Sequence, residues 1–206
     1  MQLAVLGASG ATGLELTRQA LDRGYDVVAI ARDAQRVPVP DSVRLTRIDA
    51  DVRVAGSIAN ALSGSVTVLS GLGVAKGENP GVLTTGARAV VEAGPERIIW
   101  LGAFGTGASA ATAGPLTRTL LRMFLKSELD DKVAADTAVL AANGTVFHAG
   151  PLTDGPLSET RRTLSLDELP RRLFPARVNR ATVAAAMLDE AEKRENPGAT
   201  VVPLER

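Results

Sequence analysis

Three glycines at even spacing follow the first apolar run: "MQLAVLGASGATGLEL" sets Gly7, Gly10 and Gly13 between a short aliphatic stretch and a stretch of helical periodicity. A strand that passes through a glycine-rich turn straight into a helix is a narrow structural choice. Glycines let the backbone turn sharply and approach a ligand closely, while the helix start offers unpaired N–H groups and the positive end of its dipole. Two readings are open at this point: a tight turn between strand and helix, or a cradle for a phosphate-bearing ligand. In the second, Gly7 ends the strand, Gly10 permits the close approach and Gly13 lets the helix lie near the strand. The spacing is G-x-x-G-x-x-G, one residue longer than the G-x-G-x-x-G form, with the expected strand before it and helix after it.

The rest of the chain repeats the strand-helix alternation. Short apolar runs stand at 3–7 ("LAVLG"), 26–31 ("DVVAIA"), 43–48 ("VRLTRI"), 66–71 ("VTVLSG"), 97–102 ("RIIWLG") and 145–150 ("TVFHAG"). Runs of this length and make-up suit strands covered on both faces. Between them, "ATGLELTRQALDRG" and "GVLTTGARAVVEAG" read as helices that stop at Gly24 and Gly94. The alternation predicts a parallel sheet built through right-handed crossovers, an α/β, Rossmann-like doubly wound architecture with helices on both faces. With 206 residues, one domain is expected, 151–206 forming a small C-terminal lobe beside the sheet's carboxyl edge. Within it stand "SETRRTLSLDEL", a helix capped by Asn179 and a closing strand at 200–204. The small-residue stretch 103–115 reads either as a lid or as a loop, and a helix is expected from about Leu116 to Ala142, with a break near Ser127.

Composition narrows the chemistry. Lys plus Arg and Asp plus Glu each number 23, so no net field exists to hold nucleic acid or an anionic membrane. There is no cysteine and one histidine, which excludes thiolate metal sites and disfavours histidine ones. No apolar run approaches membrane-spanning length, and the expected setting is the cytoplasm. The expected partner is a small-molecule substrate, and the expected assembly a monomer or small homo-oligomer.

Recognition then falls to local charge. The second strand ends "AIARDAQR", where NAD-selective sites carry an acidic residue on the ribose 2'-hydroxyl. Here Arg32 comes first and Arg36 follows a turn later, which favours the 2'-phosphate of NADP(H) over NAD(H). "DADV" sets Asp51 and Val52 after the third strand, and "SGLG" sets Gly71, Leu72 and Gly73 after the fourth. Four consecutive strand ends thereby meet at one crevice, where ligands bind in doubly wound sheets.

These segments resemble an atypical short-chain dehydrogenase/reductase, of the NAD(P)H-binding branch that includes NmrA-like proteins and the biliverdin reductase B or flavin reductase type. The resemblance rests on "GASGATG", the "AR" ending the second strand, "DV" after the third, "GARAVVEAGPERIIWLGAFG", "ANGTVFHAGPLTDGP" and "RVNRATVAAAML". It implies that backbone from Gly7 through Ser9, Ala11 and Thr12 to Gly13, with Arg32, Asp51, Val52 and Gly71 to Gly73, lines the cofactor. It implies the same of Gly102, Ala103, Phe104, Ala149, Gly150, Pro151 and Leu152. It also implies that Lys132 stands near the nicotinamide.

The chain departs from the carbonyl-reducing members, which use Tyr-x-x-x-Lys with a Ser. The sole tyrosine is Tyr25, Glu128 stands four residues before Lys132, and Gly102 takes the place where flavin reductase relatives carry Ser. Hydride addition to a carbonyl builds an alkoxide that needs a placed proton donor, whereas a flavin or quinone delocalises the charge. The expected activity is therefore NADPH-dependent hydride transfer to a flat acceptor, with FMN or FAD as candidate substrates and Lys132 and His148 as candidate catalytic groups. Trp100 and Phe104 offer an apolar floor for a flat ring, with a core position for Trp100 as the simpler reading. The rival from another class is a non-catalytic NADP(H)-binding redox sensor, and an epimerase with bound NAD(P) is the third reading.

Overall fold

The computed structural model describes residues 1–62, 67–74, 77, 80–111, 126–170 and 175–205. Its elements in chain order are β1 (Gln2–Leu6), α1 (Ala11–Asp22), β2 (Asp26–Ala31), β3 (Leu45–Asp49), α2 (Ser57–Ala61), β4 (Thr67–Ser70) and α3 (Val82–Ala93). There follow β5 (Arg97–Ala103), α4 (Lys126–Ala141), β6 (Thr145–Ala149), β7 (Leu152–Thr153), β8 (Arg162–Ser165), β9 (Val178–Asn179), α5 (Arg180–Lys193) and β10 (Thr200–Leu204).

Eight strands form the main sheet in the order β3-β2-β1-β4-β5-β6-β10-β8. All pairings are parallel except that of β10 with β8, which closes the sheet with an antiparallel edge. The first six strands have the 3-2-1-4-5-6 order of a doubly wound fold, and the order reverses between β1 and β4. This is the expected Rossmann-like α/β architecture.

Alternation along the strands explains why their sequences are apolar throughout, since each residue meets one of two cores. On one face Leu3, Val5, Ala29, Ile99 and Phe147 pack against Leu16 and Ala20 of α1 and Ala184, Met187 and Leu188 of α5. On the other, Ala4, Ile30, Val68, Ile98 and Trp100 pack against Ile58 of α2, Val90 of α3, and Ala135 and Val139 of α4. Trp100 is 1% exposed and belongs to this second core. The stops expected at Gly24 and Gly94 are present, both in the left-handed region with φ of 83° and 63°.

The described residues after 150 divide between two places. β8 and β10 extend the main sheet and α5 covers the α1 face, where Gln19 Nε2 donates to the Ala181 carbonyl at 2.9 Å and Arg23 pairs with Asp189 at 2.9 Å. The short strands β7 and β9 stand apart as a two-stranded sheet. The helix expected from about Leu116 is described from Lys126 to Ala141; its earlier part, and the end of the 103–115 stretch, lie outside the described residues. No described helix is long and apolar enough to cross a membrane.

The start of α3 lacks a side-chain cap of its own, with Gly81 at the N-cap. The cap comes from α4: Asp131 accepts from the amides of Leu83 at 3.1 Å and Thr84 at 2.8 Å, and the Asp131 carbonyl takes the Thr84 hydroxyl. Burial pushes this carboxyl up, but hydrogen bonds from Thr84, Leu83 and Gly81 outweigh it and hold the group below the ordinary aspartate value. A lowered folded value contributes stability that is present above the unfolded pKa and is lost as pH falls through the folded one. Asp131→Ala is expected to cost about 1 to 2 kcal/mol at neutral pH in urea unfolding. The gap to wild type should close in acid, and a gap unchanged by pH would exclude the carboxylate as its source.

Candidate functional site

A crevice of about 570 Å³ runs along the carboxyl edge of the sheet, across the point where strand order reverses. Its walls come from the ends of β1, β2, β4, β5 and β6, with α4 and α5 contributing one cation each.

The glycine loop forms one wall. Gly7 takes a left-handed conformation, φ 76°, which turns the chain so that the amides of Gly7 and Ala8 both donate to the Ile30 carbonyl at 3.0 Å. The Gly10 amide closes the turn on the Gly7 carbonyl at 2.9 Å, and Gly10 is the N-cap of α1. The first-turn amides of a helix have no acceptor within it, and no side chain caps those of α1. Ser9, Gly10, Ala11 and Thr12 border the crevice where these donors and the positive end of the helix lie. An anion such as a pyrophosphate fits that donor set without displacing any capping side chain.

Gly13 lies beneath the cradle rather than on its surface. A Cβ there would sit 2.1 Å from the Gly7 carbonyl oxygen, and one on Gly71 would sit 2.8 Å from the Gly13 nitrogen. Gly7, Gly13 and Gly71 therefore bring loop, helix and β4 together at backbone contact. Gly71, Leu72 and Gly73 continue the wall, joined by Val74, a residue the sequence reading missed.

Arg32 borders the crevice at the end of β2. Arg36, expected to back it, does not: the short helical turn Ala34–Arg36 carries it out to solvent, 4.0 Å from Asp33 and 81% exposed. The turn is held by Asp49, which accepts from the Ala34 amide at 2.7 Å. Asp51 and Val52 do not line the crevice either. Asp51 pairs with Arg53 at 3.1 Å, whose hydrogen bonds, with a smaller part from the Arg32 charge, lower its carboxyl below the ordinary value. Val52 is buried in the second core.

At the far end, Leu101, Gly102, Ala103, Ala149, Gly150 and Leu152 form the floor and side, with Lys132 from α4 and Arg180 from α5. Phe104 and Pro151 do not line it; the Phe104 amide instead extends the β5–β6 ladder by donating to the Ala149 carbonyl at 2.8 Å. Lys132 borders the crevice, whereas His148 does not. His148 pairs with Gly102 in the β5–β6 register and turns toward α4, 1% exposed. Its Nδ1 lies 2.6 Å from Ser109 Oγ and its Nε2 3.0 Å from Asp136 Oδ2. Both ring nitrogens are occupied by buried partners, so the imidazole has no path to a ligand in the crevice. Asp136 Oδ1 is buried and has no hydrogen-bond partner among the described residues. Nothing in the sequence joined Ser109, Asp136 and His148, which come from three separate segments. Among the described residues, no group of three or more His, Cys, Asp or Glu is placed to hold a metal ion.

Several solved structures share this fold. The chain is similar to ChuY, an anaerobillin reductase from Escherichia coli O157:H7, at 19% identity and TM-score 0.79 over 100% of this chain and 97% of that one. A short-chain dehydrogenase/reductase from Veillonella parvula in complex with NADP matches at 17% identity and TM-score 0.80 over 98% and 93%. The oxidoreductase ylbE from Lactococcus lactis matches at 17% and 0.79 over 98% and 90%. The NAD(P)H-binding family model matches residues 7–194, from the first glycine of the cradle to the end of α5. The chain with the amide cradle at Gly7 to Thr12 and the crevice across β1, β4 and β5 belongs to the NAD(P)H-binding family.

Proposed function

We propose that the protein is an NADPH-dependent reductase that passes hydride to a flat acceptor, a flavin or a quinone, at the β5–β6 end of the crevice. The observation that carries this reading is the order of groups along the crevice: amide cradle at β1, Arg32 at β2, and a floor of glycine, alanine and leucine beside Lys132 and Arg180. The cradle would hold the pyrophosphate, and Arg32 the 2'-phosphate in a charge-assisted pair. Bound NADPH supplies the hydride; the protein's part is to hold donor and acceptor face to face and to exclude water from the floor.

A phenol is not available to protonate an alkoxide. Tyr25, the sole tyrosine, directly precedes β2 at the opposite edge of the sheet, and its hydroxyl donates to Glu192 at 2.8 Å. This argues against a simple ketone as acceptor and for a ring that spreads the charge. A second reading, an NADP(H)-binding sensor, draws support from the burial of His148, which leaves Lys132 alone of the two expected catalytic groups at the crevice.

The discriminating measurement is loss of nicotinamide absorbance when protein and NADPH are mixed with FMN, FAD and a quinone panel. Turnover with at least one ring acceptor, and none with simple ketones, is expected. Tight NADPH binding without turnover on any of them would replace the reductase by the sensor.

A further inference from the structure

We propose that the β5–β6 end of the crevice selects an acceptor carrying an anionic arm, a phosphate or carboxylate, and that Arg180 reads that arm. The inference rests on the reductase reading and specifies its substrate class.

Among the described residues, three cations and no carboxylate border the crevice. Arg32 stands at β2, whereas β5 and β6 lie on the other side of the switch point, so it cannot serve both ends. Lys132 and Arg180 remain at the acceptor end. They approach it from opposite faces of the sheet, since α4 packs on the second core and α5 on the first. The surface between them is apolar or glycine: Leu101, Gly102, Ala149 and Leu152. A flat ring lying on that floor has a positive charge at each rim, and a low-dielectric floor strengthens the field of both.

Arg180 is held in readiness by an exchangeable partner. Its Nη1 meets Asp154 Oδ1 at 2.6 Å, but the Asp154 side chain is 88% exposed while that of Arg180 is 25% exposed. A pair with one partner in open water contributes little, and a ligand anion that replaces Asp154 leaves the guanidinium paired throughout. A planar guanidinium also matches carboxylate and phosphate geometry bidentately. Lys132 makes no ion pair with any described residue and adds long-range attraction from the α4 side. Asp154 then acts as a competitor that any incoming anion must displace.

FMN and riboflavin test this directly, because they share one ring and differ by a phosphate. With protein saturated in NADP⁺, flavin fluorescence should show FMN binding about ten- to a hundredfold tighter than riboflavin, as a charged hydrogen bond at a partly buried site allows. Arg180→Ala should bring that ratio toward one, Arg180→Lys should retain part of it, and Asp154→Asn should raise it by freeing the guanidinium. Added salt should narrow it. A naphthoquinone with and without a carboxylate arm distinguishes carboxylate from phosphate as the preferred anion. NADP⁺ affinity measured on the same preparations shows that the variants are folded. Equal binding of FMN and riboflavin by wild type, or a ratio that survives Arg180→Ala, would overturn the assignment. Failure of the reductase reading is seen separately, as FMN bound at the site with no oxidation of NADPH.

Discussion

Gly13→Ala is expected to abolish nicotinamide-nucleotide binding and to lower the unfolding free energy by about 3 kcal/mol. The added carbon would lie 2.1 Å from the Gly7 carbonyl oxygen, 2.7 Å from its carbon and 2.9 Å from Ala8 Cα. All three are backbone atoms, so no rotamer change gives relief. The loop must open or α1 must move off β1, and either shift pulls the first-turn amides away from the anion they would bind. Gly71 presses on the same point from β4, which blocks the helix from sliding toward the switch point. Gly73→Ala is the control for stability: it borders the same crevice, but its added carbon meets nothing within 4 Å, and unfolding should change by no more than about 0.5 kcal/mol. Urea unfolding and calorimetric titration with NADPH check both. Wild-type affinity in Gly13→Ala would mean that the cradle is not where the pyrophosphate sits.

Arg32→Glu is expected to weaken NADPH by about 1 to 3 kcal/mol while changing NADH little, through loss of a charged hydrogen bond to the 2'-phosphate. The new carboxylate would also stand where NAD-selective sites accept from the ribose 2'-hydroxyl, so NADH has a replacement partner and NADPH has a repulsion. Arg36→Ala should have little effect on either, given its 81% exposure and distance from the crevice wall. Dissociation constants for both nucleotides on the two variants decide the matter. Equal losses of NADPH and NADH in Arg32→Glu would show that this side chain does not read the phosphate.

The contrast between Arg32 and Arg36 marks how far local sequence carries. The β2 run fixed where the strand ends and hence that Arg32 faces the crevice, but the tight turn that follows, pinned by Asp49 from β3, rotates Arg36 away. The apolar runs located the strands that two cores demand, and the glycine loop located the cradle, because both signals are local. Val74, Leu101 and Arg180 were not legible as site residues. Arg180 reaches the crevice only because α5 crosses back over α1, an arrangement set by contacts such as Gln19 to Ala181, 162 positions apart. β7 and β9 are two residues each, too short to carry a pattern. His148 read as a strand-end group at the site because its neighbour Ala149 is one; alternation turned it to the opposite face, where Asp136 and Ser109 meet it.

That buried group restricts which substitutions β5 accepts. A side chain at position 102 would begin 2.8 Å from the His148 ring and 2.9 Å from Asp136 Oδ1. Positions 102, 136 and 148 are consequently coupled: a side chain added at 102 fits only if the imidazole or the carboxylate behind it is made smaller, so either change alone leaves an overfilled or a hollow interior.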